Sequence, residues 1–488
     1  MVNKNVLRTS ALLLAVVAAG HFIAYKIVHL PTQLELVILL TTAFFYPIMR
    51  KPVIGVYLLF GIMPFVSYVR RLYYLSHQRP SIDPLIAIGD IVIALTLIGL
   101  YFVFREQRAE QRNAKIMSRV VLGYFLYCII RTFFINILPV REAVMQFHFF
   151  GPSVLFFFIG VLYANRMDLL NRLWFITLGI GAIAAIYGMK QIIIGYSEAE
   201  QIWFSSISFT TLFIKGIARP FSIFQSPACF ADYMLLSIIG LLIIISGKKS
   251  KLNLGFLLLL PLYFYGALIT SVRSNWIGIL LALVLWMILL QIRGTRNRII
   301  LILFLGILFI FSQLLDFASQ YDVGITALFS TLGKGLNQER LTLLVTERTS
   351  AIANPFEEYS FLSRLALWKY LIILSADPIN ALLGRGIGTI NADSLYISYL
   401  AQFGYPGVIF IIWFIIVMIK NGFTLLDRSS SPEVIALAKG ITLMNIVFAV
   451  INLTGTHIHS FPGDVFFWFW NGVIIKLSAG LQSENSSP

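Results

Sequence analysis

Residues 252–292 read LNLGFLLLLPLYFYGALITSVRSNWIGILLALVLWMILLQI, two apolar runs with a single charged residue, Arg273, between them. Each run, 252–270 and 275–292, approaches the roughly 20 residues that cross a bilayer as one helix. Backbone amides inside a bilayer must bond within their own segment, so such runs are read as helices. Two in succession with almost no connector make a tight hairpin. The guanidinium of Arg273 then lies near one interface, either snorkelling to water as an anchor or turned toward a ligand.

The same reading extends in both directions. Apolar runs occupy 11–28, 34–49, 53–69, 85–104, 120–137, 147–164, 173–194, 227–247, 299–317, 394–419, 440–456 and 464–480. With the first two they predict an all-α, polytopic transmembrane helical bundle of about fourteen helices, twelve at the fewest. The composition agrees: 58% of 488 residues are hydrophobic and 12% are charged, about half the charged share of a soluble domain. The run at 11–28 follows Lys4 and Arg8 and reaches Lys26 without a small-residue cleavage site, so it reads as a retained first helix.

The formal charge of +15 sits mainly in short connectors, which argues for membrane topology and against a nucleic-acid partner. With a cytoplasmic N-terminus, one side receives Arg50-Lys51, the Arg105 to Arg119 cluster, Lys248-Lys249-Lys251, Arg293/Arg296/Arg298 and Lys420/Arg428/Lys439. Arg70-Arg71 with Arg79 is the exception. Both termini are expected in the cytoplasm. Cys128 and Cys229 lie inside apolar runs and support neither a disulfide framework nor a cysteine metal site.

Two connectors are long, 195–226 and 318–393, both on the non-cytoplasmic side, and long connectors usually carry function. The chain therefore divides into N-terminal helices (1–194), central helices with arginine-bearing motifs (195–317), a large loop with amphipathic helices (318–393), and C-terminal helices with a short tail (394–488). In the loop, Ser360 is placed to cap a helix through Leu374 with Phe361, Leu365, Trp368 and Ile372 as its apolar stripe, ended by Asp377-Pro378. That helix suits a membrane surface. The glycine-rich 383–388 reads as a flexible turn, since no strand precedes it to make a nucleotide site.

Charges inside or beside apolar runs need a partner, a wet cavity or a ligand. Arg219 either pairs with Asp232, one turn into the next helix, or binds a ligand. Arg364 lies on the loop helix, where an exposed arginine is ordinary. Asp90, Arg131 and His148 suit structural roles, with an Asp90 to Arg131 pair the simplest. Asp393 offers either a helix cap or, where desolvation raises its pKa, a general base. His457 and His459 alone are too few for metal. Arginines on one face bind pyrophosphate bidentately and need no metal, and no acidic cluster has divalent-cation spacing.

The order of these motifs resembles the O-antigen ligase and Wzy-type polymerase superfamily. The likeness rests on Arg219 with Phe224-Gln225-Ser226-Pro227, Ser271-Val272-Arg273-Ser274-Asn275-Trp276, Ser363-Arg364-Leu365-Ala366-Leu367-Trp368, Gly384-Arg385-Gly386-Ile387-Gly388, Asp393-Ser394-Leu395-Tyr396 and Gly404-Tyr405-Pro406-Gly407. It covers roughly residues 215 to 475. It implies a GT-C-like bundle in the bacterial inner membrane and a glycosyltransferase that uses no metal or other cofactor. An oligosaccharide would pass from undecaprenyl diphosphate to a glycan acceptor at the periplasmic face, among membrane lipids, with a chain-length regulator and a flippase as working partners. On that analogy Asp393, Arg273 and Arg219 are catalytic, with the two arginines on the diphosphate. Arg364, Arg385, Asp232, His457 and His459 bind substrate. Ligases of the family carry His-Asn where this chain has Asp393-Ser394, which favours a polymerase of O-antigen, capsule or exopolysaccharide units over a ligase acting on lipid A core. A lipid-linked oligosaccharide flippase is the alternative of another class, though such transporters usually show two similar halves and this chain shows no repeat.

Overall fold

In a computed structural model, residues 32–75, 83–104, 112–134, 139–206, 212–214, 217–247, 256–289, 359–388, 392–459 and 461–484 are described. The expected runs at 11–28 and 299–317 and the loop residues 318–358 lie outside them. Every other expected run is occupied largely by helix. Seven helices among the described residues are long and apolar enough to cross a membrane, and four shorter apolar helices accompany them. The protein is a helical membrane protein.

The chain forms two compact units, residues 1–110 and 111–488. The first contains α1 (Thr32–Arg50), α2 (Val53–Gly61), α3 (Val66–Tyr73) and α4 (Ile88–Phe104). Its anomalous Arg70 is buried and ion-paired to Asp83 at 2.5 Å. Asp83 also accepts from the amide of Leu85 at 3.0 Å and so starts the turn into α4. A charge that sits on the wrong side by simple counting is thus neutralised internally.

The second unit begins with α5 (Arg112–Phe133), α6 (Val140–Val154), α7 (Phe156–Tyr163), α8 (Met167–Ile193) and the short α9 (Glu198–Ser206). A two-residue antiparallel ladder, β1 (Phe213–Ile214) with β2 (Ile217–Ala218), precedes α10 (Pro227–Ser246). Then come α11 (Leu259–Ile269), α12 (Arg273–Leu289), α13 (Tyr359–Leu374), α14 (Pro378–Leu383), α15 (Leu395–Arg428), α16 (Pro432–Ile451) and α17 (Gly463–Glu484). Only Thr270, Ser271 and Val272 separate α11 from α12, which is the tight hairpin expected from 252–292.

The core centres on α17, which packs against α7, α15, α5 and α16. Lipid tails offer no hydrophobic contrast to an apolar helix, so close backbone approach and polar pairs hold such helices together. Both are present. A Cβ on Gly160 would collide with the carbonyl oxygen of Phe469, and one on Gly472 with that of Phe157, so α7 and α17 touch backbone to backbone. Asn445 of α16 and Asn471 of α17 exchange amide hydrogen bonds of 2.8 and 2.9 Å with no exposure to solvent. The rings of Trp174 and Trp470 stack at 4.5 Å.

The glycine-rich segment is not a loose turn. Gly384 has φ 65° and Gly404 φ 69°, a region that side chains resist. At Gly404 α15 is broken, and 384–388 lies along the break. The amide of Arg385 donates to Ala401 at 2.8 Å, that of Gly386 to Gln402 at 3.2 Å, and that of Gly388 to the Gln402 side chain at 2.8 Å. Arg131 of α5 closes the arrangement by donating to the Gly384 carbonyl at 3.1 Å. Its guanidinium, offered above as a partner for Asp90, serves carbonyls freed by a helix break.

The loop helix α13 ends before Asp377 as expected, but it begins at Tyr359, ahead of the cap placed at Ser360. Asp377 caps α14 instead, accepting from the amide of Asn380 at 3.1 Å. The buried stripe is also shifted. Leu371 packs with Ala392 and Ala401, flanked by Trp368 and Leu374, while Ile372, assigned to the stripe, is exposed. With Leu367, Tyr370 and Ile373 it makes an outward apolar face suited to a membrane interface.

Replacing Gly472 by Leu is expected to force α7 and α17 apart and to destabilise the protein by about 1–3 kcal/mol or more. Gly179→Ala, at a site with nothing within 4 Å of the added methyl, is expected to be neutral or slightly stabilising. Thermal unfolding of the two variants in detergent, followed by loss of the monodisperse chromatographic peak, checks both.

Candidate active site

Asp232 lies in the second turn of α10 with no solvent exposure. Its helix starts by ordinary capping: Ser226 accepts from the amide of Cys229 at 3.3 Å, and Pro227 occupies the first position, where a missing N–H costs nothing. A buried carboxylate survives only if its charge is met. One oxygen, Oδ1, accepts from the Asn275 amide at 2.7 Å and lies 2.7 Å from Nδ1 of His457. The other, Oδ2, is buried with no hydrogen-bond partner among the described residues. Arg219, the partner considered for Asp232 in the sequence, is not among these contacts.

The first turn of α12 supplies Arg273, Ser274 and Asn275 together. Ser274 Oγ lies 3.2 Å from Nε2 of His457, so one imidazole spans Asp232 on α10 and Ser274 on α12. His457 is held from behind as well. Its amide donates to the Asn452 side chain at 2.8 Å, and Asn452 in turn donates to Phe448 at 2.7 Å. The Leu395 amide, first in α15, reaches the carbonyls of Asn452 and Gly455 at 2.9 Å each. A Cβ on Gly455 would strike His457 Nε2, so the absence of a side chain there keeps the ring edge open. Three helix starts, those of α10, α12 and α15, therefore meet around one Asp–His pair, and their dipoles favour negative charge there.

Arg219, eight residues ahead of α10, stands on a clamped segment. Its amide donates to Leu212 at 2.9 Å, and Tyr196 donates to the Ala218 carbonyl at 2.9 Å. The Gln191 side chain of α8 accepts from the amides of Phe221 at 3.0 Å and Ser222 at 2.8 Å. Ser222 has φ 53° and is held there as its hydroxyl donates to Ala184 at 2.6 Å. Gln191 is itself oriented by donating to the buried Glu200. Burial pushes the Glu200 carboxyl up, but hydrogen bonds from Gln191 and Ser197, with the charge of Lys190, outweigh it and hold it below the usual carboxylate range. Arg219 is 8% exposed and Arg273 is half-buried.

The other expected site residues are placed differently. Asp393 is 56% exposed at its side chain and ion-paired with Arg364 at 3.0 Å. The desolvation that would make it a base is absent there. Nor is it the cap of α15, a position held by Ser394. Neither Asp393 nor Arg364 bonds to the Asp232 cluster. Arg385 lies half-buried on the pinned glycine crossing. His459 turns away from His457 to lie against the rings of Phe150 at 4.2 Å and Tyr399 at 5.2 Å, where burial pushes its imidazole down to about 3 and keeps it neutral.

Sequence reasoning assigned no role to Ser274, Asn275, Gln191, Glu200 or Asn452. The usable signal was a polar side chain at the end of an apolar run, which holds for Gln191 and Asn452 as well as for Arg273. Compared with known proteins, the chain matches no family model and no curated protein.

The Glu200 carboxyl is lower in the folded protein than unfolded, so its contribution is full above about pH 4.3 and is lost as pH falls through the depressed folded value. Glu200→Gln removes that charge, and Gln191→Leu removes the clamp. Both are expected to speed hydrogen exchange of the amides at 219–224 at neutral pH, Gln191→Leu more strongly. Unchanged exchange in Gln191→Leu would mean that the segment is held by other contacts.

Proposed function

We propose that this protein is a metal-independent glycosyltransferase of GT-C-like architecture that polymerises lipid-linked oligosaccharide repeat units. In this reading it lies in a bacterial inner membrane with about fourteen helices and both termini cytoplasmic. A glycan leaves undecaprenyl diphosphate at the periplasmic face and joins a growing O-antigen, capsule or exopolysaccharide chain. The observation that supports the reading is a buried Asp232–His457 pair bonded to the first turn of α12, the turn that also bears Arg273; Arg219 lies eight residues ahead of α10, the helix that bears Asp232. Fixed positive charge suits a diphosphate leaving group, and water exclusion strengthens it.

Arg219 and Arg273 hold the diphosphate, each with a planar guanidinium that stays charged at every relevant pH. Arg219 is preset by its clamp, so little ordering accompanies binding. The Arg364–Asp393 pair, exposed and beside the glycine crossing, positions the acceptor glycan, with Arg385 on the crossing itself. The outward apolar face of α13 lies against the membrane beside the donor's lipid. Asp393 in place of His-Asn favours polymerisation over ligation.

Deleting the gene and resolving surface glycan on a gel tests the class. A polymerase predicts single repeat units on the usual anchor and no ladder. A ladder accumulating on the lipid carrier would instead make the protein a ligase, and repeats trapped on the cytoplasmic side would make it a flippase. Arg273→Lys keeps charge but loses the fork, and is expected to reduce chain growth at least about tenfold, equivalent to roughly 1.4 kcal/mol of transition-state stabilisation. Wild-type ladders from Arg273→Lys at normal protein level would remove Arg273 from the diphosphate.

A further inference from the structure

The transferase reading leaves a proton unassigned. When an acceptor hydroxyl attacks the anomeric carbon, a carbon–oxygen bond forms, the bond to the diphosphate breaks, and the electron pair leaves with the diphosphate. The hydroxyl proton must pass to a base. Asp393 is exposed and occupied by Arg364.

We infer that Ser274, His457 and Asp232 form the proton relay of this site, with His457 as the base, Ser274 as its outward end and Asp232 as the positioning residue. The inference rests on the transferase reading above. An ionised carboxylate only accepts hydrogen bonds, so Asp232 Oδ1 fixes the proton of His457 on Nδ1. Nε2 then carries the free lone pair, and it faces Ser274 Oγ at 3.2 Å. His457 is 5% exposed and Ser274 is half-buried, so the hydroxyl is the more accessible end. Ser274 accepts the proton of the sugar hydroxyl while passing its own to Nε2. The imidazolium formed is stabilised by Asp232 and releases its proton to water after the diphosphate departs.

Three further observations point the same way. The carboxylate is desolvated, so its pull on a developing imidazolium is not diluted by water. Its second oxygen is buried without a hydrogen-bond partner among the described residues, a costly arrangement of the kind found where a group serves chemistry rather than packing. Gly455 leaves no side chain against Nε2, and the ring is held by its backbone amide rather than by Nε2, which stays available for proton transfer. Among the described residues, the groups that bond to His457 are Asp232 from α10, Ser274 from α12 and Asn452 just past the end of α16, and Asp232 alone among them is charged.

The test uses the full chain in nanodiscs with lipid-linked repeat units isolated from cells lacking the gene. Asp232→Asn preserves shape while disturbing the tautomer, and Ser274→Ala and His457→Gln remove the other members. Each is expected to lower kcat by about 10²–10⁴-fold with KM within about threefold. Ser274→Thr, which keeps a hydroxyl, is expected to stay within about tenfold of wild type. His457→Gly, if folded and able to bind the donor, is expected to recover turnover as imidazole is added. Wild-type kcat in His457→Gln, or a folded, donor-binding His457→Gly that stays inactive at saturating imidazole, would overturn the relay. A glycosyl adduct on Ser274 found by mass spectrometry would also overturn it, since the serine would then be a nucleophile. A folded wild-type protein that transfers no sugar from the lipid diphosphate would overturn the transferase reading itself, and the relay with it.

Discussion

A chain of polar contacts in the second unit starts from one carboxylate that water cannot reach. Asp232 stands in a helix buried nearly end to end, and the protein answers its charge from two other elements, Asn275 on α12 and His457 in the turn before α17. Since a buried ion left unpaired costs several kcal/mol, the α11–α12 hairpin and that turn are fixed relative to α10. His457 in turn engages Asn452, and Asn452 receives the first amide of α15. A chain of polar contacts thus sets the register of helices whose apolar surfaces alone would allow sliding.

The helices were readable because bilayer crossing imposes a length and a composition that few other structures share. The hairpin around Arg273, the start of α10 at Pro227 and the stop before Asp377 follow from local chemistry and occur as expected. Arg219 and Arg273 could be singled out because each interrupts apolar sequence. What could not be read is anything that depends on which helices are neighbours. Asp232 and His457 are separated by most of the second unit, and neither sequence position specifies the other. The buried stripe of α13 was misplaced for a related reason: several apolar faces were available, and the partner at Ala392 and Ala401 decided between them.

The same distinction separates the two acidic candidates. In sequence Asp393 looks the more functional, since it stands at the junction of a long loop and a helix, whereas Asp232 looks like an interior charge in need of a neighbour. In space their environments are reversed. Asp393 meets Arg364 in water, where such a pair contributes only about 0–1 kcal/mol, while Asp232 is dry, oriented and joined to an imidazole. Burial, which sequence reports poorly for single residues, is what gives a carboxylate leverage over a proton.

The clamp on residues 219–222 has a kinetic side. Gln191, Ser222 and Tyr196 fix the backbone around Arg219 in the folded protein, so on the proposed reading the entropy of ordering that segment is lost on folding and not on anion binding. On the proposed reading, a lipid-linked glycan would enter and leave without this segment loosening. In that reading exchange falls to the solvent-exposed Arg364–Asp393 pair, where rearrangement costs little. The two places would then keep separate tempos, one stiff and set at folding, the other free to rearrange at each addition.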